Sequence, residues 1–249
     1  MAVVHLLGTG AGVSGPERTT TMLAFESGGR SIVVDCGGDV IQRLMAAGVD
    51  PAGIEALIVT HEHPDHVAGF PLFMEKIWLL GRRHPIPVYG IRPALDQARR
   101  VWEAFRTGGW EGVPEIQEHE VRLEPGAVVL RNERWRITAA PGIHGVPVVG
   151  IRVEDAAGGG VCAYSCDTAK SADITEMSRG AGLLVHEGTG VTLGGHSTYV
   201  EAAEVARDAG AERLVLVHLP SGVTDGDLKE ARTVFADVSL GEDGARYEF

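Results

Sequence analysis

His61-Glu62-His63-Pro64-Asp65-His66 sets three imidazoles and two carboxylates in six positions, directly after the apolar run Ala56–Thr60. Neutral imidazole and carboxylate are the usual ligands of divalent zinc, manganese or iron. Six consecutive residues cannot all face one ion. A turn leaving a strand can, however, send His61 and His63 to one side and Asp65 and His66 to the other, which suits two ions a few ångströms apart and metal-assisted hydrolysis. A solvated, histidine-rich loop is the competing reading. Proline and two carboxylates among the histidines, straight after a buried strand, weigh against it. A helical zinc-protease motif is excluded, because His61-Glu62 would need a histidine at the position of Asp65.

Three further residues stand just past short strand-like runs: His144 after Arg136–Ala140, Asp167 after Val161–Ser165, and His218 after Leu214–Val217. Singly, each is more often a cap or a strand-end histidine. Their shared position, where a layered fold gathers its loops, favours one collective site.

The surrounding elements must bring these residues together. The first third has a β rhythm, in Val3–Leu7, Thr20–Glu26 and Ser31–Asp35, with Gly28-Gly29 as a hairpin turn. Asp39 is placed to cap a helix ended by Gly48, and Ile54–Thr60 reads as a buried strand. Helical apolar patterns run from His66 to Leu80 and from Arg92 to Arg106. Ala127 to Asp167 is β again, and Leu183–His186 and Arg213–His218 are buried strands. Between those two, Thr198 and Glu201 form a capping-box pair opening a helix that stops at Gly210. This order predicts an α+β chain folded as a four-layer αββα sandwich, in one domain spanning residues 1–249.

Composition narrows the function classes. With 22 basic and 34 acidic residues the net charge is −12, which disfavours a broad nucleic-acid platform. Three cysteines, Cys36, Cys162 and Cys166, are too few and too scattered for a disulfide framework and fit a reducing compartment. The apolar run in Met1–Leu7 is short and lacks a basic leader, and no stretch reaches the ~18 apolar residues of a membrane span. The expectation is a soluble, cytoplasmic protein.

The sequence resembles the metallo-β-lactamase superfamily, in its ribonuclease Z-like branch. The likeness runs from Leu7-Gly8-Thr9-Gly10 and Arg18 through Val34-Asp35-Cys36-Gly37 and Gln42-Arg43 to Val59–His66 and Gly69-Phe70-Pro71. It continues in Leu80-Gly81-Arg82, His186-Glu187-Gly188-Thr189, His196-Ser197-Thr198 and Leu214–His218. The resemblance implies one ion held by His61, His63 and His144, a second held by Asp65, His66 and His218, and Asp167 bridging both. It implies that Asp35 orients ligand histidines from behind, that His196 faces the substrate phosphate, and that Glu187 polarises His196. Asp65, His196 and Glu187 are then the catalytic residues. Zinc is the expected metal, with manganese or iron as alternatives. Two adjacent cations would lower the pKa of a shared water, so that a bridging hydroxide is the nucleophile.

Three departures from the branch bear on the substrate. The long arm with which ribonuclease Z grips transfer RNA is missing, since His144 and Asp167 are 167 − 144 = 23 residues apart and the interval reads as a β-hairpin. His218 is followed by Leu219-Pro220-Ser221-Gly222 rather than serine-x-arginine-tyrosine. Cys36 is followed by Gly37-Gly38-Asp39-Val40 rather than Gly-Glu-Gly-Thr. The leading expectation is a phosphodiesterase acting on a small or nucleotide-type diester, with large nucleic acid disfavoured as a partner. Hydrolysis of a lactone, thioester or sulfate ester, ribonuclease Z-type RNA processing, and a non-catalytic metal-stabilised binding protein are the alternatives.

Other features are assigned simpler roles. Gly10-Ala11-Gly12-Val13-Ser14-Gly15 spells a dinucleotide fingerprint, but Pro16 and Thr19-Thr20-Thr21 lead into a strand, so it reads as a tight loop beside the metal site. Phe73, Met74, Ile77, Trp78 and Leu80 are core, or line an apolar substrate pocket. Trp102, Phe105 and Trp110 with Gly108-Gly109 read as a flap or a homodimer contact. Arg82 and Arg83 are a candidate anion-steering patch, His84 reads as solvated, and the imidazole of His186 as structural.

Overall fold

The computed structural model describes residues 2–191 and 194–249, so Met1 of the N-terminal run lies outside the described residues. Strands β1 (Val3–Gly8), β2 (Met22–Ser27) and β3 (Arg30–Val34) form an antiparallel meander turned at Gly28-Gly29, both at positive φ. Helix α1 (Val40–Ala46) follows, its Gln42 amide donating to the Asp39 carboxylate. Strand β4 (Ile54–Val59) lies parallel to β3 and ends at the histidine cluster. Then come α2 (Pro64–Val67), α3 (Phe70–Leu79), β5 (Ile86–Gly90), α4 (Arg92–Glu103) and β6 (Ile116–Glu120).

The second half repeats the scheme. Strands β7 (Ala127–Arg131), β8 (Trp135–Pro141), β9 (Val149–Asp155) and β10 (Val161–Tyr164) are antiparallel. After α5 (Ala172–Met177) the chain continues through β11 (Leu183–Glu187), α6 (Tyr199–Ala209), β12 (Leu214–Val217), α7 (Lys229–Val234) and β13 (Val238–Leu240). Strand β14 (Arg246–Glu248) returns to the first half.

Among the described residues two seven-stranded sheets result, ordered β14-β1-β2-β3-β4-β5-β6 and β13-β12-β11-β10-β9-β8-β7. In each, an antiparallel set gives way to a parallel one: β3 to β6 in the first sheet and β10 to β13 in the second. Leu6, Phe25, Ile32 and Leu57 of the first sheet share one core with Trp135, Ile137, Ile151 and Val185 of the second. A second cluster, with Ile174, Ala203, Val205 and Leu216, seats α5–α7 on the outer face of the second sheet. The layers are therefore the αββα sandwich. A sheet covered on both faces explains why β1, β3, β4, β11 and β12 read as continuous apolar runs.

The helix expected from His66 to Leu80 is two helices, broken at Ala68-Gly69. The Gly69 amide donates to the Cys36 carbonyl at 2.8 Å. A Cβ on Gly69 would stand 2.2 Å from the Gly38 carbonyl oxygen and 2.5 Å from that of Cys36. This close approach pins the histidine loop to the end of β3. The helix expected to run to Arg106 stops at Glu103. Of the residues left between core and pocket, Phe73, Met74 and Ile77 are core, Leu80 is exposed, and Trp78 stacks on Trp110. Among the described residues, no helix is long and apolar enough to cross a membrane.

Candidate metal centre

The predicted site residues converge. Each leaves a strand at the same edge of the sandwich, where loops from both sheets meet. Asp35 follows β3, His61 follows β4, His144 lies three residues past β8, and Asp167 follows β10. Glu187 is the last residue of β11, and His218 follows β12. His63 N-caps α2, and Pro64 at its first position forces the helix to begin there, which places Asp65 and His66 in that one turn.

Among the described residues four groups of possible ligand atoms form, and two of them overlap at Asp167. His61, His63, His144 and Asp167 make one, and Asp65, His66, Asp167 and His218 the other, the atoms of each lying within 4.8 Å of one another. Asp167 belongs to both. Its Oδ2 lies 3.2 Å from His218 Nε2, 3.4 Å from His66 Nε2, 3.9 Å from His61 Nε2 and 4.0 Å from His144 Nε2. His144 Nε2 is 3.1 Å from His63 Nδ1, and Asp65 Oδ2 is 3.4 Å from His218 Nε2. His61 and His63 of the histidine turn thus fall in one group, and Asp65 and His66 in the other.

Most of the imidazoles are oriented from behind. Asp35 Oδ2 accepts from His66 Nδ1 at 2.8 Å, and the same carboxylate takes the amide and hydroxyl of Thr60. Thr60 Oγ1 also lies 3.1 Å from His61 Nδ1, and His144 Nδ1 donates to the Gly195 carbonyl at 3.1 Å. Such partners fix tautomer and ring pose. Thr60 and Cys166, whose Sγ is 3.6 Å from His61 Nδ1, are neighbours that no spacing rule reveals.

Burial and crowding set the charge states. Burial pushes His61 down to about 2, helped by its neighbour His66 and opposed by Asp167. His66 is raised although burial opposes it, because Asp167 and Asp35 flank it. Burial also works against the charged form of Asp167, yet His218 and His66 hold its carboxyl well below the usual carboxylate range. Buried His61 Nε2, His66 Nε2 and Asp167 Oδ1 have no hydrogen-bond partner among the described residues. Each such buried atom left unpaired costs about 1–3 kcal/mol. Imidazole nitrogens and carboxylate oxygens so placed fit a cationic occupant.

Beside this centre, His196 Nδ1 donates to Glu187 Oε1 at 3.0 Å. Glu187 is fully buried and also accepts from the amides of Thr168, Thr189 and Ser197. His196 stays about one-fifth exposed, with its ring stacked 5.2 Å from that of His218. The Glu187 hydrogen bond raises the His196 pKa, against the opposing effect of burial; burial in turn raises that of Glu187. His186 is buried and held by its own neighbour, its Nδ1 2.7 Å from the Glu187 carbonyl oxygen, as a structural residue would be. The glycine-rich loop after β1 does border the site: a Cβ on Gly12 would stand 3.2 Å from Asp65 Oδ2.

Histidines and carboxylates gathered at strand ends between two sheets, with cation-seeking atoms turned inward, define a divalent-metal-binding hydrolase. Residues 30–219 match the beta-lactamase superfamily domain. The probable metallo-hydrolase YhfI of Bacillus subtilis is 31% identical, over 98% of this chain and 99% of its own. Its crystal structure superposes with a TM-score of 0.84, at 27% identity and covering 99% and 98% of the two chains. Ribonuclease Z of Methanothermobacter thermautotrophicus is 29% identical over 98% of this chain and 95% of its own. The crystal structure of the short form of human tRNase Z gives a TM-score of 0.82 at 25% identity, covering 100% and 98%. The chain belongs to the beta-lactamase superfamily and has its metallo-β-lactamase fold.

Proposed function

We propose that the protein is a phosphodiesterase for a small, singly charged phosphodiester. In this reading His61, His63 and His144 hold one divalent ion, Asp65, His66 and His218 hold a second, and Asp167 lies between them. Zinc is the first candidate, from the predominance of imidazole ligands. When bound, the ions supply an activated water and neutralise charge on the phosphoryl oxygens. The remaining chemistry falls to the chain. Asp35, Thr60 and the Gly195 carbonyl keep the imidazoles in place. With Nδ1 occupied by Glu187, His196 has Nε2 left to protonate the departing alkoxide. The observation that carries the reading is this buried-carboxylate-to-histidine pair beside the two ligand groups, since a phosphodiester with an alkoxide leaving group needs such an acid.

Local charge supports a small substrate. The described loops at this edge, residues 9–21, 35–39, 60–69, 142–148, 165–171, 188–191, 194–198 and 218–224, contain two cationic residues, Arg18 and Lys170. Arg18 donates to Thr9 Oγ1 and the Gly241 carbonyl, and Lys170 to Glu204 at 2.8 Å. Both are therefore engaged away from an incoming anion. A polyanion needs several such contacts, and β9 and β10 close the 23-residue interval as a hairpin where an RNA-gripping arm would stand. The test is turnover by protein loaded with zinc, manganese or iron. Substrates are bis(4-nitrophenyl) phosphate, a lactone, a thioester and a transfer-RNA precursor. Preference for the diester is expected; faster lactone or thioester turnover without diester cleavage, or efficient precursor cleavage, would overturn the reading.

A further inference from the structure

Among the proposed ligands, His218 is held differently from His61, His66 and His144. His66, His61 and His144 each have a partner at Nδ1, whereas His218 Nδ1 is buried without one among the described residues. Its backbone is left-handed, at φ 55°, which a side chain with a Cβ adopts only under restraint. With Nδ1 unpaired, the pose of its ring depends on what grips its backbone, alongside the His196 and His66 rings stacked 5.2 and 5.8 Å from it.

That grip is the loop between β1 and β2. The His218 amide donates to Thr21 Oγ1 at 3.1 Å, and the same hydroxyl donates to the Gly10 carbonyl. The next residue is bound twice, Leu219 N–H to the Thr9 carbonyl at 2.9 Å and Ala11 N–H to the Leu219 carbonyl at 3.0 Å. The loop also stands against Asp65 through Gly12. It therefore touches two residues of one ligand group, Asp65 and His218.

The loop is in turn held by one carboxylate far along the chain. Asp243 Oδ1 accepts from the Thr9 amide and hydroxyl, both at 2.8 Å, and Oδ2 accepts from the Thr19 amide at 2.9 Å and from Arg43 Nη2 at 3.1 Å. Asp243 thus clasps both ends of the loop at once. Its side chain is about nine-tenths buried. Asp243 sits in the turn between β13 and β14 that carries the chain from one sheet to the other, fixed by Gly241 N–H to the Leu216 carbonyl and Gly244 N–H to the Leu6 carbonyl, each at 2.7 Å.

We infer that Asp243 is a positioning residue for one metal site of the pair: through the Thr9–Thr21 loop it sets His218 and Asp65, and leaves the group of His61, His63 and His144, which that loop does not hold, alone. This rests on the proposed ligand set but not on the proposed substrate. The test is stepwise Co2+ and Zn2+ binding to metal-free full-length protein, followed by calorimetry and by the visible spectrum of bound Co2+. Asp243→Asn keeps the shape and removes the charge that four donors share. It is expected to weaken one of the two binding steps roughly ten-fold or more, the size typical of residues supporting metal ligands, while leaving the other step within about two-fold. Asp155→Asn, a buried carboxylate capping the remote β9–β10 turn, should leave both steps alone. Should Asp243→Asn fail to fold, Thr9→Val removes one of its donors and is expected to give the same asymmetry at smaller size. Equal weakening of both steps, or of neither, would overturn the inference. Failure of wild-type protein to bind two ions would instead refute the ligand set on which it rests.

Discussion

Replacing His196 by alanine separates acid catalysis from the rest of the site. Structurally the change is mild. Glu187 loses one of four donors and keeps the amides of Thr168, Thr189 and Ser197. The folding cost is therefore that of one hydrogen bond to a charged group, about 1.5–3 kcal/mol, together with the ring contacts to His218 and His144, and no proposed metal ligand is itself replaced. The catalytic cost depends on the leaving group. A positioned general acid contributes roughly 10²–10⁴-fold, or about 2.7–5.4 kcal/mol of activation free energy, but only where the leaving oxygen needs a proton. His196→Ala is accordingly expected to lower kcat by that factor for alkyl phosphodiesters and to leave bis(4-nitrophenyl) phosphate nearly unchanged. The assay is kcat across a leaving-group series with metal content measured on the same samples. A pH profile adds a second reading. His196 acts when protonated, and the Glu187 hydrogen bond raises its pKa. Wild-type activity on alkyl esters should thus be full at lower pH, persist above the ordinary imidazole value of about 6.5, and fall as pH rises through the raised value. That basic limb should vanish in the alanine variant. An equal loss across the whole leaving-group series, or an intact limb, would refute the assignment of His196 as the acid.

Three further perturbations are informative. Glu187→Gln removes the charge that raises His196 while keeping a hydrogen-bond acceptor, so the basic limb should move to lower pH; profiles on an alkyl diester would show it. Asp35→Asn retains a residue tolerant of the left-handed backbone found there (φ 61°) but weakens the hold on His66 and Thr60. Metal affinity should fall by about 10–100-fold, read by chelator competition. Trp135→Ala empties a fully buried position in the shared core, and urea unfolding should report a loss of about 3–5 kcal/mol with unchanged metal stoichiometry.

Much of the site was legible because its chemistry and its local structure lie in the same short segments. The histidine turn follows a buried strand, and the capping box Thr198–Glu201 opens α6 as expected, with both reciprocal bonds formed. The β9–β10 hairpin fills the interval between His144 and Asp167. What escaped is what depends on distant partners. Strand β6, Ile116-Gln117-Glu118-His119-Glu120, is a polar edge strand with no apolar alternation, and it forms because its backbone pairs with β5. Strand β5 carries Pro87, which argues against an interior strand, and it is tolerated because the ladder to β4 begins one residue later, at Val88. Strand β14 is three residues long and is a strand only beside β1. The break at Gly69 was hidden by a continuous apolar pattern, since the cause is a backbone approach to Cys36 and Gly38 from another part of the chain. Thr60 and Asp243 carry no motif and gain meaning only from the groups the fold places around them.

Backbone conformation shows what the site demands of the sequence. Among the described residues, the non-glycine positions with positive φ are Asp35, Cys166 and His218, and each lies just beyond a parallel-set strand, facing the same cluster. Glycine would relieve the conformation, as it does at Gly28, Gly210 and several other turns. At Asp35 and His218 glycine would also delete the carboxylate behind His66 or a proposed ligand imidazole. At Cys166 it would delete the thiol that donates to Thr60 Oγ1 at 2.9 Å. Strained residues of this kind cost roughly 1–3 kcal/mol each and persist only where surrounding structure over-determines them. The surroundings here supply that restraint: Asp35 N–H to the Ile58 carbonyl, Ser165 N–H to the Val185 carbonyl, and His218 N–H to Thr21 Oγ1. A left-handed residue at a strand end turns the chain sharply out of the sheet, and the site side chain is that residue at Asp35 and His218 and the one after it at Cys166-Asp167. Repeating that turn on β3, β10 and β12 lets residues from two separate sheets face one small volume.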